Sequence, residues 1–190
     1  MSTPASLLLF ATLLLLLSPF QGRGQQKRDA AIAKALPEVL KKHREFVSLP
    51  NVASNREDMM KNVEWVKKPF QQLGFEVSLL ESTSLPVFFA EKKVNEQAKT
   101  LLCYFHLDGQ PVNPEKWEQP DPFVPVLKQQ GQNGNWSAID WSSLDGAIDP
   151  DWRIFGRAAA DDKAPIIMML TALELMQQQK KAPSFNLKII

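Results

Sequence analysis

Apolar strand-like runs alternate with amphipathic helical stripes along this chain, and this alternation limits its fold more than any other feature. Residues 101–105 are continuously apolar, as expected for a strand covered on both faces. Apolar residues three or four positions apart predict helices over residues 29–48, 59–73 and 165–180. Helices that alternate with strands are typical of layered sheets. We therefore expect an α/β fold with a mostly parallel sheet flanked by helices.

Shorter patterns predict the remaining elements. Further strands are expected at residues 75–79, 86–90, 152–155 and 185–189. Gly74 stands where a helix C-cap glycine belongs, and Pro69 is expected to kink or shorten the helix before it. Residues 111–152 show no sustained period, so we expect a long connection without its own structure, a type that is usually functional. The tryptophans in this connection either line a substrate cleft or bury the loop.

Charge and residue counts exclude several kinds of protein. Lys and Arg number 22 and Asp and Glu number 21, so the formal charge of +1 argues against a binder of nucleic acid or anionic membranes that depends on bulk charge. The single cysteine, Cys103, excludes an intramolecular disulfide and a zinc site built on several cysteines. With only His43 and His106 available, any metal site must depend on carboxylates. Because His43 lies in the charged segment KKHREF, we expect it on the solvated surface.

The amino terminus has the pattern of a secretory signal peptide. Residues 7–17 are uncharged and almost wholly aliphatic, and this run is shorter than the roughly 20 residues that span a bilayer. Gly22 and Gly24 supply the small residues of a cleavage site. We therefore predict a signal peptide at residues 1–24, an exported domain at 25–190, and a periplasmic or extracellular location. Since no Lys or Arg precedes the apolar run, an uncleaved membrane anchor is the alternative.

His106 and Asp108 follow the apolar run 101–105 directly. The carboxyl ends of strands are where α/β sheets place their ligands. Residues two apart in a strand point to the same side, so Asp108 can hold one imidazole nitrogen of His106 while the other binds a metal. The alternative is a hydrogen-bonded core histidine beside a turn aspartate.

Asp161 and Asp162 form a second acidic motif, between the small residues 158–160 and a predicted helix. One interpretation is structural, because carboxylates at a helix start are favoured by the helix dipole and the free N–H groups. The functional interpretation makes one carboxylate a metal ligand and leaves room for a substrate beside the small residues.

Together these segments resemble a known family. HLDGQPV at residues 106–112 and FGRAAADDKAPI at 155–166 are similar to motifs of the zinc-dependent exopeptidase and deacylase family, which includes acetylornithine deacetylase, succinyl-diaminopimelate desuccinylase and carnosinase-type dipeptidases. Residues 47–66 also resemble the first helix–loop–helix of that family. The resemblance runs from about residue 30 to the end and implies part of a dinuclear-zinc peptidase catalytic domain. Ala158 and Ala164 depart from it, since glycine is common at both positions.

The resemblance implies a role for each matching residue. His106 would bind one zinc ion, and Asp108 would be a catalytic residue that orients His106. Asp161 would bridge two zinc ions (Zn²⁺, two per complete site), and the peptide bond that follows it would be cis. Three further residues of the second motif would support the site structurally: Asp162, Arg157 and Lys163.

The family chemistry is hydrolysis of a peptide or amide bond by a metal-activated water. The resemblance implies small peptides, dipeptides among them, or N-acyl amino acids as substrates. In the family the general-base glutamate, further metal ligands and a lid and dimerisation domain follow the strand predicted at 185–189. We therefore expect an N-terminal part that is inactive alone, with no nucleic-acid partner, no stable membrane span after signal cleavage, and a homodimer only in a full-length form. The alternatives are a non-catalytic exported α/β binding module, a degenerate remnant, or a half completed by a second polypeptide.

Overall fold

The computed structural model describes residues 4–190, with side chains from Gly24 onward. The described chain divides into two compact units, one that ends at Glu38 and one that runs from Val39 to Ile190. The apolar run of the predicted signal peptide, residues 7–17, lies outside the described side chains. Within the described part of the chain, no helix is long and apolar enough to cross a membrane. The second unit carries both motifs.

Helices and strands alternate along the described chain. The helices are α1 Pro4–Val47, α2 Arg56–Gln72 and α3 Lys163–Gln178. The strands are β1 Glu76–Leu80, β2 Val87–Lys92, β3 Thr100–Cys103, β4 Val126–Gln130, β5 Trp136–Ala138, β6 Arg153–Phe155 and β7 Asn186–Ile189. Two 3₁₀ helices lie at Pro114–Lys116 and Trp141–Asp145. The predicted α/β class is confirmed.

The main sheet has the strand order β1-β2-β7-β3 and is less parallel than predicted. Only β3 and β7 pair in parallel, whereas β1–β2 and β2–β7 are antiparallel. The connection of residues 81–86 between β1 and β2 is too short for the crossover that parallel neighbours need. Between β3 and β7 the chain has room for such a crossover, which includes α3.

Residues 111–152 have their own structure, contrary to the prediction. They contribute β4 and β5 to a second antiparallel sheet of order β5-β4-β6. The strands are only three to five residues long, too short to show a clear period in the sequence. Trp136 packs edge-on against Phe155, with ring centroids 5.2 Å apart, which fastens β5 to β6.

α2 and α3 share one hydrophobic core with the main sheet. Phe70 of α2, Ile166 of α3 and Leu187 of β7 are all buried in it. α2 continues through Pro69 to Gln72, so Pro69 does not shorten the helix, and the alternative of a kink stays a prediction. Gly74 has a φ of +79°, the left-handed conformation of a C-cap glycine, and this prediction is confirmed.

The apolar run 101–105 is not covered on both faces. Leu101 and Leu102 are 48% and 56% exposed, and Tyr104 is 71% exposed. β3 is the last strand of its sheet, so it has a strand neighbour on one side only among the described residues. A run of apolar residues predicts a strand but does not show whether that strand is central or at the edge of the sheet.

Candidate metal site

His106 lies just past β3, and both of its ring nitrogens face acceptor oxygens. Nδ1 is 2.8 Å from the backbone carbonyl oxygen of Asp108, and Nε2 is 2.8 Å from Oδ1 of Asp161. A carbonyl oxygen can only accept, so Nδ1 carries a proton and donates it. In a neutral ring this leaves the Nε2 lone pair directed at Asp161.

Asp108 contacts His106 through its backbone rather than through its carboxylate. Its Oδ1 lies 3.6 Å from Nδ1, outside hydrogen-bond range, while the carbonyl of the same residue takes the proton. The expected alignment of the two side chains assumed a continuing strand. The assigned strand β3 ends at Cys103, and the last backbone bond of this segment to the β7 side runs from Phe105 N to the Ile190 carbonyl at 2.7 Å, one residue before His106.

Asn51 holds the loop that follows His106, and sequence reasoning did not identify it. The side chain of the buried Asn51 donates from Nδ2 to the backbone carbonyl of Leu107 at 2.8 Å. The backbone carbonyl of Asn51 accepts from Gly109 N at 2.7 Å. A Cβ on Gly109 would lie 3.1 Å from Asn51 Oδ1, so the close approach favours glycine. In the sequence, Pro50 and Asn51 directly follow the helix predicted over residues 29–48 and indicate only where it ends.

The pKa of His106 is raised above its ordinary value. Partial burial lowers this pKa, but the hydrogen bond to the Asp108 carbonyl, the contact with Asp161 and the nearby charge of Asp162 together outweigh it. The surroundings of the ring therefore favour a positive charge at Nε2.

Asp161 and Asp162 are joined by a cis peptide bond, as the resemblance implies. The Asp161 side chain is 89% exposed and meets His106. Asp162 stands at the N-cap of α3 but makes no side-chain capping bond there. Its Oδ2 instead accepts from the backbone N–H of His106 at 3.3 Å. The acidic pair is thus directed at the first motif, which argues against its interpretation as a helix cap.

The backbone conformation of Ala158 accounts for the glycine that is common at this position in the family that the motifs resemble. Its φ is +61°, in the left-handed region that non-glycine residues seldom adopt. This turn brings the chain from β6 towards Asp161, and Lys163 N donates to the Ala158 carbonyl at 3.3 Å to close it.

The predicted supporting residues connect separate segments. Lys163 is fully buried, and its Nζ donates to the carbonyls of Phe46 and Leu49 at 2.7 and 2.6 Å. Burial lowers the pKa of the Lys163 ammonium to about 7. Arg157 donates from Nη2 to the carbonyl of Gln110 at 2.9 Å, which ties the second motif to the first.

His43 is buried, so its predicted surface position is wrong. It is 8% exposed, and its Nε2 lies 2.8 Å from the carbonyl oxygen of Ala159. Burial lowers the pKa of His43; the Ala159 hydrogen bond opposes this shift, and the charge of Lys163 adds to it. Its place three residues before Phe46 and four before Val47 could have revealed the inward face. The charged neighbours in KKHREF obscured that spacing.

A polar cleft of about 530 Å³ opens over the two motifs. Its lining includes Tyr104, His106, Asp108, Trp117, Arg157 and Asp161. Trp117 is the one tryptophan of residues 111–152 in this lining, whereas Trp136 packs in the second sheet. The cleft is within the size range of sites that bind small molecules.

The donor atoms in the cleft fit a metal ion. An imidazole nitrogen and a carboxylate oxygen are ordinary zinc ligands, and here they point at each other. With the ring proton fixed on Nδ1, the two lone pairs need a cation between them, either a second proton or a metal. Among the described residues, no group of three or more His, Cys, Asp or Glu side chains converges to hold a metal. The described chain thus offers part of a ligand set.

No protein-family model matches the chain. Searches of known proteins and solved structures find similar peptidases. The Cys-Gly metallodipeptidase Dug1 of Schizosaccharomyces pombe is 26% identical over 141 residues, which cover 67% of this chain and 25% of Dug1. Human carnosine dipeptidase 1 has a similar structure, with a TM-score of 0.63, 20% identity, and coverage of 83% of this chain and 32% of that one. The M20 family metallo-carboxypeptidase Sso-CP2 from Sulfolobus solfataricus also has a similar structure, with a TM-score of 0.58 and 25% identity. The match covers 80% of this chain and 30% of Sso-CP2.

The relatives and the solved structures agree in the kind of protein that this chain is similar to. Its mixed α/β fold is similar to the folds of carnosine dipeptidase 1 and the metallo-carboxypeptidase Sso-CP2. The chain is similar to M20 family metallopeptidases, in agreement with the resemblance of its motifs. It spans a quarter of the curated relative and about a third of the two solved structures.

Proposed function

We propose that this chain is the N-terminal part of an exported zinc-dependent hydrolase. Its substrate is a small peptide, such as a dipeptide, or an N-acyl amino acid, and the scissile bond is a peptide or amide bond. The observation that carries the proposal is the 2.8 Å approach of His106 Nε2 to Asp161 Oδ1 within the polar cleft. Dug1 is named as a metallodipeptidase and Sso-CP2 as a metallo-carboxypeptidase, which supports the reaction class.

His106 and Asp161 are the residues that would hold zinc. The Asp108 carbonyl keeps the proton on Nδ1 and so leaves Nε2 free as a ligand. The exposed carboxylate of Asp161 has oxygens accessible to a second ion, in keeping with a bridging role. When bound, zinc supplies a Lewis acid for the scissile carbonyl and an activated water.

Other residues of the cleft shape the substrate site. Asp162 accepts from the backbone of His106 and so fixes the two motifs relative to each other. Trp117 offers an aromatic surface beside the metal ligands, suited to an apolar part of the substrate. The apolar run at residues 7–17 supports export of the domain.

Zinc uptake tests this proposal. We expect measurable binding in equilibrium dialysis, weakened at least about tenfold by His106→Ala or Asp161→Asn, because each removes one ligand. Asp151→Asn is the matched control, since Asp151 is an exposed acid that pairs with Arg153 outside the cleft. Equal uptake by wild type and His106→Ala would contradict the assignment and favour a non-catalytic binding module.

We also propose that the 190-residue chain does not turn over alone. Catalytic zinc usually has at least three protein ligands, and the described residues bring together only two. A panel of dipeptides and N-acyl amino acids incubated with the zinc-loaded chain should therefore remain intact. Zinc-dependent hydrolysis that disappears in His106→Ala would refute the claim of inactivity.

A further inference from the structure

A buried histidine holds the turn that leads to the proposed bridging aspartate. The imidazole of His43 projects from α1, and its Nε2 is 2.8 Å from the carbonyl oxygen of Ala159. Since that oxygen can only accept, Nε2 carries the proton and donates it. Ala159 is two residues before Asp161, within the turn that includes the left-handed Ala158.

The same end of α1 also holds the chain on the other side of the acidic pair. Lys163, the residue after Asp162, donates to the carbonyls of Phe46 and Leu49, at and just beyond the end of α1. The backbone of Asp161 and Asp162 is thus fixed before and after by one element. Among the described residues, the end of α1 is the one element that contacts both Ala159 and Lys163 in this way.

Asp161 needs this external support because its own side chain has little. The Asp161 side chain is 89% exposed, and its carboxylate forms a hydrogen bond with His106. The direction in which it points therefore depends on the backbone that carries it. A metal ligand must be held to within about 0.5 Å of its productive position.

We infer that His43 is a positioning residue for the metal site, acting through the Ala159 carbonyl on the direction of the Asp161 carboxylate. The inference rests on the proposed zinc site, and it assigns His43 a role beyond that of a packed core residue. Loss of a hydrogen bond that supports a metal ligand commonly lowers metal affinity 10- to 100-fold. A residue that only stabilises the core would lower the free energy of unfolding and leave the affinity unchanged.

Two substitutions separate these roles. His43→Leu keeps an apolar body but removes the donor, and we expect zinc affinity, measured by competition with a chromophoric chelator, to fall about tenfold. His43→Gln keeps an N–H donor and should stay within about threefold of wild type. Leu173→Ala is the control for stability alone, because Leu173 is buried in α3 about 15 Å along the helix from Lys163. It should lower the free energy of unfolding and leave zinc affinity as in wild type.

A metal-free measurement keeps the inference distinct from the zinc proposal. The chain has two histidines, so the nitrogen NMR spectrum of its imidazoles contains signals from His43 and His106 alone. We expect His43→Leu to shift the Nε2 signal of His106, because the contact with Asp161 loosens, whereas Leu173→Ala leaves the signal in place. An unchanged His106 signal together with unchanged zinc affinity in His43→Leu would overturn the inference. Absence of zinc uptake in wild type would refute the proposed function, and the His106 signal would still decide whether His43 positions Asp161.

Discussion

Lys163→Met should lower the free energy of unfolding by about 2–4 kcal/mol, because the carbonyls of Phe46 and Leu49 both lose their bond from Nζ. The Phe46 carbonyl keeps a longer bond from Leu49 N at 3.2 Å, so most of the cost falls on the Leu49 carbonyl. Methionine has a similar length and fills the volume, which limits any cavity effect. Relief of the cost of burying an ammonium offsets part of the loss, since burial already lowers the pKa of Lys163 to about 7.

Urea denaturation at pH 7 measures this change. Lys181→Met is the matched control, because Lys181 is exposed and its substitution should stay within about 0.5 kcal/mol of wild type. A Lys163→Met chain as stable as the control would show that the bonds from Lys163 to the Phe46 and Leu49 carbonyls make no net contribution to stability.

Gly156→Ala is expected to lower the free energy of unfolding by about 1–3 kcal/mol, the usual cost of overpacking. A Cβ at this position would lie 2.8 Å from Cγ1 of Val47, which is fully buried, and 3.4 Å from Pro125. Neither neighbour is the end of a long flexible side chain, so the backbone between β6 and Arg157 must move. That movement would also disturb the wall of the polar cleft.

Two further variants identify the clash as the cause. Gly146→Ala places a Cβ 3.8 Å from its nearest neighbour, so it should be nearly neutral in the same denaturation experiment. Combining Gly156→Ala with Val47→Ala should cost less than the sum of the two single substitutions, because the smaller side chain makes room. Strict additivity would show that the loss has another origin.

Local patterns were sufficient for most of the elements and for the site motifs. The spacing of apolar residues in α2 and the glycine after it depend on short-range geometry, and both were read correctly. His106, Asp161 and Asp162 came from two separate motifs, and the fold brings these motifs together. His106 and Asp161 are 55 residues apart in the chain, and nothing in the local sequence around either residue indicates that they meet in space. Their closeness was predicted only by the resemblance.

The failures concern properties that depend on distant neighbours. Whether β3 is central or at an edge depends on the strands beside it, so the exposure of Leu102 was not predictable from an apolar run. The contact of His43 with Ala159 spans 116 residues and requires knowledge of how α1 packs. The backbone contact of Asp108 with His106 depends on the conformation of residues 106–108, which strand alternation does not give.

The central claim is that His106 and Asp161 ligate the same zinc ion. Crystals of the chain grown with zinc, measured on both sides of the zinc absorption edge, test it most directly. We predict an anomalous peak within about 2.0–2.2 Å of both His106 Nε2 and a carboxylate oxygen of Asp161. A zinc-containing crystal whose anomalous peaks all lie elsewhere, with the direct His106–Asp161 hydrogen bond intact, would contradict the account.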